Sequence, residues 1–151
     1  MRSQVVVCTA CSAANRLPDG KPASAAKCGR CGVQLFAGKP TDVSATALDA
    51  QVARGSVPVL VDVWAPWCGP CRMMAPAYET AARELEPDFR VLKLNSEVEQ
   101  GAASRLGIRG IPTMILFSDG REAARVSGAM TTPSQIVAWA RAQLAAAGKA
   151  A

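Results

Sequence analysis

Residues 57–72 read VPVLVDVWAPWCGPCR, and the reading of this stretch decides the fold. Val57–Trp64 is an apolar run broken only by Asp62, the pattern of a strand buried on both faces. Beyond it the period changes, with Cys71, Met74, Tyr78 and Leu85 recurring at helical spacing. The strand thus leads into a helix through Cys68-Gly69-Pro70-Cys71. That places Cys68 at the helix mouth and Cys71 in the buried stripe. The first backbone N–H groups of a helix lack intrahelical partners and, with the helix dipole, favour an anion beside them. Cys68 is therefore the expected thiolate nucleophile, accessible at the helix entrance, and Cys71 the buried resolving thiol. Three-residue helical spacing brings the two within disulfide reach. Gly69 and Pro70 are neutral, so no cation between the thiols favours the reduced form, and the pair is expected to be comparatively reducing. Arg72 points around the helix from the thiols.

Asp62 is the anomaly of the strand. A buried carboxylate is costly unless neutralised or hydrogen-bonded, and the usual reason to keep one is function. The strand feeds the dithiol loop, so Asp62 can lie behind Cys71 and exchange a proton with it, directly or through a water. The structural alternative is a strand-end aspartate that reaches solvent or a backbone amide.

Working outward, Gly38–Val43 reads as a linker leading into an edge strand. Ser44 can cap a helix that carries Leu48 and Val52 on one face and stops at Gly55. The dithiol helix is expected from about Pro70 to Glu86, with a kink at Pro76. Phe89–Asn95 is a second strand, Glu97–Leu106 a short helix and Thr113–Ser118 a third strand. Asp119-Gly120 is a hairpin turn into a strand around Glu122–Val126. Thr132-Pro133-Ser134-Gln135 opens a last helix with Ile136, Ala140 and Leu144 on one face. Met74 belongs to the core, whereas Met73 is open between core and a soft docking surface. The expected class is α/β, a mixed central sheet with helices on both faces.

The first third differs. Cys8-x-x-Cys11, sixteen intervening residues and Cys28-x-x-Cys31 match a four-cysteine zinc pattern. Two such knuckles complete a tetrahedron of thiolates, which suits Zn²⁺ best and iron second, with disulfides or free thiols as the metal-free alternatives. Gly29 and Gly32 fit tight turns that aim amides at the sulfurs. A segment this short builds little core, so the metal supplies its folding energy, and a closed four-ligand site is structural. The expected division is a zinc-binding segment over 1–36, a linker over 37–43, the main domain over 44–147 and a frayed tail over 148–151.

The 151 residues are half hydrophobic and 19% charged, with a net charge of +5. The Lys and Arg are scattered, which speaks against a nucleic-acid binder. There is no histidine, which excludes Cys/His metal sites and histidine catalysis. The start, MRSQVVVCTACSAANR, carries too short an apolar run for a signal peptide, and no stretch approaches a membrane span. A reducing cytoplasm is expected, where paired cysteines are catalytic or metal-binding.

WCGPC, the upstream VLVDVWA, KLN (93–95) and GIRGIPT (107–113) together resemble the thioredoxin family from about Ser44 to Leu144. The resemblance implies the thioredoxin fold and reduction of protein disulfides through a Cys68/Cys71 redox pair. It implies that Lys93 helps tune Asp62, and that a cis Ile111-Pro112 bond faces the cysteines and exposes the Ile111 backbone to an extended substrate. Trp67, Gly69, Pro70, Gly110, Ile111, Gly128 and Ala129 would line the docking surface. Ser96 and Ser127 depart from it, standing where the family is commonly apolar. The implied partners are disulfide-containing proteins and an NADPH-dependent, flavin-containing thioredoxin reductase. No flavin or nucleotide motif occurs, so no bound organic cofactor is expected, and the chain is read as a monomeric carrier. NRLPDG (15–20) and CGRCG (28–32) resemble the two-domain, zinc-containing subgroup often called thioredoxin 2. Two rival readings are an oxidase or isomerase on the same fold, and a non-catalytic zinc-ribbon adaptor.

Overall fold

The computed structural model describes residues 4–148. The apolar run forms β4 (Val59–Trp64) at the centre of a five-stranded sheet, and the helix after the dithiol is α2 (Gly69–Leu85). The sheet order is β3-β5-β4-β6-β7, where β3 is Thr41–Asp42, β5 Arg90–Asn95, β6 Thr113–Ser118 and β7 Arg121–Ser127. β3 and β4 run parallel to β5, while β6 adds antiparallel to the other side of β4 and β7 antiparallel to β6. The segment read as a linker therefore contributes the edge strand. Asp119 and Gly120 both take positive φ, as the two-residue hairpin turn between β6 and β7 requires.

Strand alternation assigns the two faces. Leu60, Val91, Met114 and Leu116 pack against Met74, Tyr78 and Leu85 of α2 and against Ile136, Ala140 and Leu144 of α4 (Pro133–Ala146). On the other face Val59, Val61, Val63, Leu92, Leu94 and Ile115 meet Leu48 of α1 (Ala45–Arg54) and Ala102 of α3 (Gln100–Arg105). Ser44 caps α1, and Thr132 with Gln135 forms a full capping box on α4. The short helix starts later than Glu97 because the amides of Glu97 and Val98 turn back onto Asn95. The tail expected to fray falls, from residue 149, outside the described residues.

The amino-terminal segment is more structured than its composition suggests. It opens with a hairpin of β1 (Gln4–Val7) and β2 (Ala14–Leu17) around the first cysteine knuckle. Val6, Leu35 and Phe36 form a small core completed by Val57, so the segment borrows its packing from the main domain. Arg90, only 2% exposed, fastens the two together. Its guanidinium donates to the carbonyls of Leu35 (2.7 Å) and Val7 (2.9 Å) and to Gln51 Oε1 (3.1 Å). It also lies 4.3 Å above the Phe36 ring and 3.8 Å from Glu86. Gln51 adds a bond to the Val7 carbonyl, and Glu86 accepts from the amides of Gly38 and Val91. This network is not legible in the sequence, where Arg90 reads as the edge of a strand.

Candidate active site and metal centre

Cys68 is the N-cap of α2, with Pro70 in the first turn behind it. Its Sγ accepts the Cys71 amide at 3.2 Å, one of the donors that a helix start leaves free. The two sulfurs form a disulfide across Cα atoms 5.3 Å apart. Cys71 is buried, as expected. Cys68 is not the exposed sulfur expected at a helix entrance: it is 4% exposed, nearly the same as Cys71. Trp64, Ala65 and Ile111 pack around the pair, and the Ile111 carbonyl oxygen lies 3.7 Å from Cys68 Sγ. The surface above belongs to Trp67, 65% exposed, and to Pro70.

The Ile111-Pro112 bond is cis and lies against the dithiol. Pro112 accepts the Gly128 amide at 2.9 Å, which brings the Gly128-Ala129 turn beside Gly110 and Ile111. Gly69 and Ile111 are half-buried, while Gly110, Gly128 and Ala129 are exposed. The structure thus sets Ile111 against Cys68 and ties the Gly128-Ala129 turn to Pro112. Ser96 turns its hydroxyl inward to the Trp64 carbonyl at 2.8 Å, so it makes this rim less polar than its type suggests. Met73 is solvent-exposed, and Met74 is core.

Asp62 lies two positions beyond Leu60 in β4, which places its side chain on the same sheet face, the one covered by α2. It is 1% exposed and its Oδ1 has no hydrogen-bond partner among the described residues. Burial pushes its carboxyl up to about 7, against a downward pull from Lys93 and with a smaller push from Asp42. Asp42, Lys93 and Asp62 stand side by side in register across β3, β5 and β4. Lys93 does not close an ion pair with Asp62. Its ammonium sits 4.1 Å above the Trp64 ring, whose Nε1 donates to Asp42 at 3.2 Å.

A carboxyl that ionises near 4 unfolded and near 7 folded keeps an extra proton in the native state between those values. Its contribution to stability therefore falls as pH rises from about 4 to about 7, and is level above. Asp62→Asn removes that slope. The variant should gain on wild type by a few kcal/mol between pH 4 and pH 8, because each pH step over which the native carboxyl stays protonated is worth about 1.4 kcal/mol. Urea denaturation at both pH values measures the gap; an equal gap at the two would count against the raised carboxyl.

The other four cysteines converge. Cys8 and Cys31 sulfurs are 3.6 Å apart, Cys11 and Cys28 also 3.6 Å, and all four lie within 4.8 Å of one another. Tetrahedral Zn–S bonds of about 2.3 Å require sulfurs about 3.8 Å apart, so the set fits the ion. The two knuckles repeat one geometry. The amides of Ala10 and Arg30 point at the Cys8 and Cys28 sulfurs (3.3 and 3.4 Å), and Ser12 and Gly32 close the turns at positive φ. The turns thus aim amides at the sulfurs, while the Gly29 amide goes to Asn15 Oδ1 at 2.9 Å. Asn15 Nδ2 in turn lies 3.5 Å from Cys28 Sγ. The Cys28 thiol is held down at about 6, first by the Cys31 amide and then by the Asn15 side chain. Sulfurs this close cannot all carry charge unless a cation sits among them.

Asn15 opens the NRLPDG stretch, but motif reading gives it no role at the metal site. Its role depends on which hairpin strand faces the second knuckle, so no spacing rule reveals it. Removing such an outer-shell partner typically weakens metal affinity about 10- to 100-fold. Asn15→Ala should do so in a competition titration with a zinc-binding dye while the Cys68–Cys71 chemistry is unchanged. Unaltered affinity would assign Asn15 to the hairpin alone.

A dithiol capping a helix on a five-stranded mixed sheet, with a buried acid beneath and a cis-proline loop against it, defines a thiol–disulfide oxidoreductase. Two family models match the chain: the one described as Thioredoxin over residues 39–142, and the one described as Thioredoxin 2, N-terminal, a zinc ribbon, over residues 7–33. The chain belongs to the thioredoxin family. It is 35% identical over 128 residues to Thioredoxin C-3 of Corynebacterium nephridii, spanning 85% of this chain and 88% of that protein. It is 41% identical over 98 residues to the Thioredoxin of Pseudomonas aeruginosa, spanning 65% and 90%. The solved structure of a mutant thioredoxin from Halobacterium salinarum superposes with a TM-score of 0.62 at 34% identity, covering 70% of this chain and 91% of that one. Among the described residues no helix is long and apolar enough to cross a membrane.

Proposed function

We propose that the chain is a zinc-containing protein-disulfide reductase of the reducing cytoplasm, working as a monomer and recharged by an NADPH-dependent thioredoxin reductase. The observation that carries this is the setting of Cys68: a helix N-cap sulfur, served by the Cys71 amide and faced by the Ile111 carbonyl. An extended substrate pairs with the Ile111 backbone and rests on Trp67, Gly69, Pro70, Gly110, Gly128 and Ala129, which brings its disulfide onto Cys68. The Cys68 thiolate attacks one sulfur, the substrate S–S bond breaks, and the departing thiolate takes up a proton. Asp62 accepts the Cys71 proton, and the Cys71 thiolate then attacks Cys68 Sγ. The mixed disulfide breaks, a second substrate thiol leaves, and two electrons have passed from the Cys68/Cys71 pair to the substrate. Lys93 keeps the Asp62 proton affinity within working range, and Pro112 holds the Ile111 backbone open to the substrate.

Cys8, Cys11, Cys28 and Cys31 would hold one Zn²⁺, with a structural role: a closed set of four thiolates leaves no position for a substrate. Insulin reduction coupled to NADPH through a bacterial thioredoxin reductase tests the assignment, and no NADPH consumption would defeat it. The potential of the pair separates reductase from oxidase. A value near the about −270 mV of thioredoxins supports the reductase, and one near the about −120 mV of the strongest oxidant on this fold overturns it. The neutral Gly69-Pro70 between the thiols favours the former.

A further inference from the structure

Ser127 closes β7 beside the docking surface, and its hydroxyl has lost its freedom. Thr113 Oγ1 lies 2.6 Å from the Gly110 carbonyl oxygen and 3.0 Å from Ser127 Oγ. A carbonyl can only accept, so the single proton of Thr113 is spent on Gly110. At the remaining contact Ser127 must be the donor. Thr113 is 2% exposed and Ser127 is exposed, so the chain of hydroxyls runs from the surface into the fold. Its inner end is the carbonyl of Gly110, the neighbour of Ile111. On the next residue pair the Gly128 amide donates to Pro112, so Ser127 stands where the two docking segments join.

We propose that Ser127 is a further substrate-binding residue: with its proton directed inward to Thr113, it offers only lone pairs outward and accepts a backbone N–H of the docked chain. The proposal rests on the docking reading above. An extended chain that pairs with Ile111 passes over the Gly128-Ala129 turn, and its amides are the donors that every polypeptide substrate brings. An apolar side chain at this place excludes water but leaves such an amide unpaired, which costs affinity. A serine free to rotate would meet donors and acceptors alike; this one is set for donors.

Cystine peptides, each N-methylated at one backbone position flanking the disulfide, provide the test. Turnover of each by the zinc-loaded full chain is compared between wild type and Ser127→Ala, after thermal melts confirm that both are folded. Wild type should show two sensitive positions. One, the partner of Ile111, is sensitive in both proteins. The other costs wild type about 3- to 10-fold in kcat/KM and costs Ser127→Ala nothing, with Ser127→Thr restoring the loss. An identical profile in the two proteins overturns the proposal and leaves the docking reading standing. A uniform drop across all peptides in Ser127→Ala also overturns it, because Ser127 would then act only by bracing the loop. If no position is sensitive in wild type, the docking reading itself fails and the proposal with it.

Discussion

Cys68→Ser should abolish disulfide turnover, on the order of 10³-fold or more, whereas Cys71→Ser should halt the reaction after one event with substrate bound covalently to Cys68. The asymmetry follows from the helix start. Cys68 Sγ collects the Cys71 amide and the positive end of α2, both of which favour its thiolate. Cys71 sits inside the first turn, among Ala65, Trp64 and Ile111, and on the proposed mechanism waits for Asp62 to take its proton. A serine hydroxyl at 68 has no accessible anion near neutral pH and no path to a mixed disulfide. Non-reducing gels and intact mass of Cys71→Ser with an excess of oxidised insulin read the trapped adduct. If Cys68→Ser turned over substrate, or if Cys68→Ser rather than Cys71→Ser trapped the adduct, through Cys71, the assignment of nucleophile would be reversed. The low exposure of Cys68 carries a further expectation: small alkylating reagents should react with the reduced protein more slowly than the thiolate alone would suggest.

Arg90→Ala should cost about 3–5 kcal/mol in stability, the range seen when one member of a buried charged network is removed. Burial pushes the Arg90 guanidinium down and the Glu86 carboxyl up, and each is held charged by the other and by backbone groups. The substitution strands the Leu35 carbonyl and Gln51 Oε1, and leaves the Val7 carbonyl and Glu86 each one partner short, at one buried seam. Val7 precedes Cys8, so the loss falls on the attachment of the cysteine cluster as well as on β5. Urea denaturation of the zinc-loaded chain, read by tryptophan fluorescence, should show the midpoint fall. Arg90→Lys should recover little, because an ammonium cannot reach four acceptors arranged as a fork. A loss below about 1 kcal/mol would mean that the apolar contacts and the remaining hydrogen bonds, such as that from Gln51 to the Val7 carbonyl, attach the segment without Arg90.

Much of this molecule is readable from local pattern. The apolar run of β4, the capping residues Ser44 and Thr132 and the turn at Asp119-Gly120 are dictated by neighbours within a few positions, and the structure has them where the spacing puts them. The CxxC pairs are legible for the same reason: a metal knuckle and a helix-capping dithiol are both made by short stretches of chain. Long-range placement is less so. The turns aim the Ala10 and Arg30 amides at the sulfurs, as the knuckle pattern implies, but that the Gly29 amide is taken by Asn15 depends on which way a hairpin strand presents that side chain. Lys93 stands beside Asp62 and pulls its carboxyl down, as the resemblance implies, but its ammonium rests on the Trp64 ring face, which no local pattern announces.

The sequence by itself determined which residues are chemically able: two thiols across a helix start, one acid in an apolar strand, four sulfurs in two knuckles. These depend on dihedral preference, period and spacing, which act over a few residues. Tertiary structure alone decided how covered Cys68 is, where the charges of Lys93 and Arg90 go, and what Ser127 can offer. Each of those is an outcome of competition for partners among segments distant in the chain, and a hydrogen bond is won by whichever group the packing brings within about 3 Å.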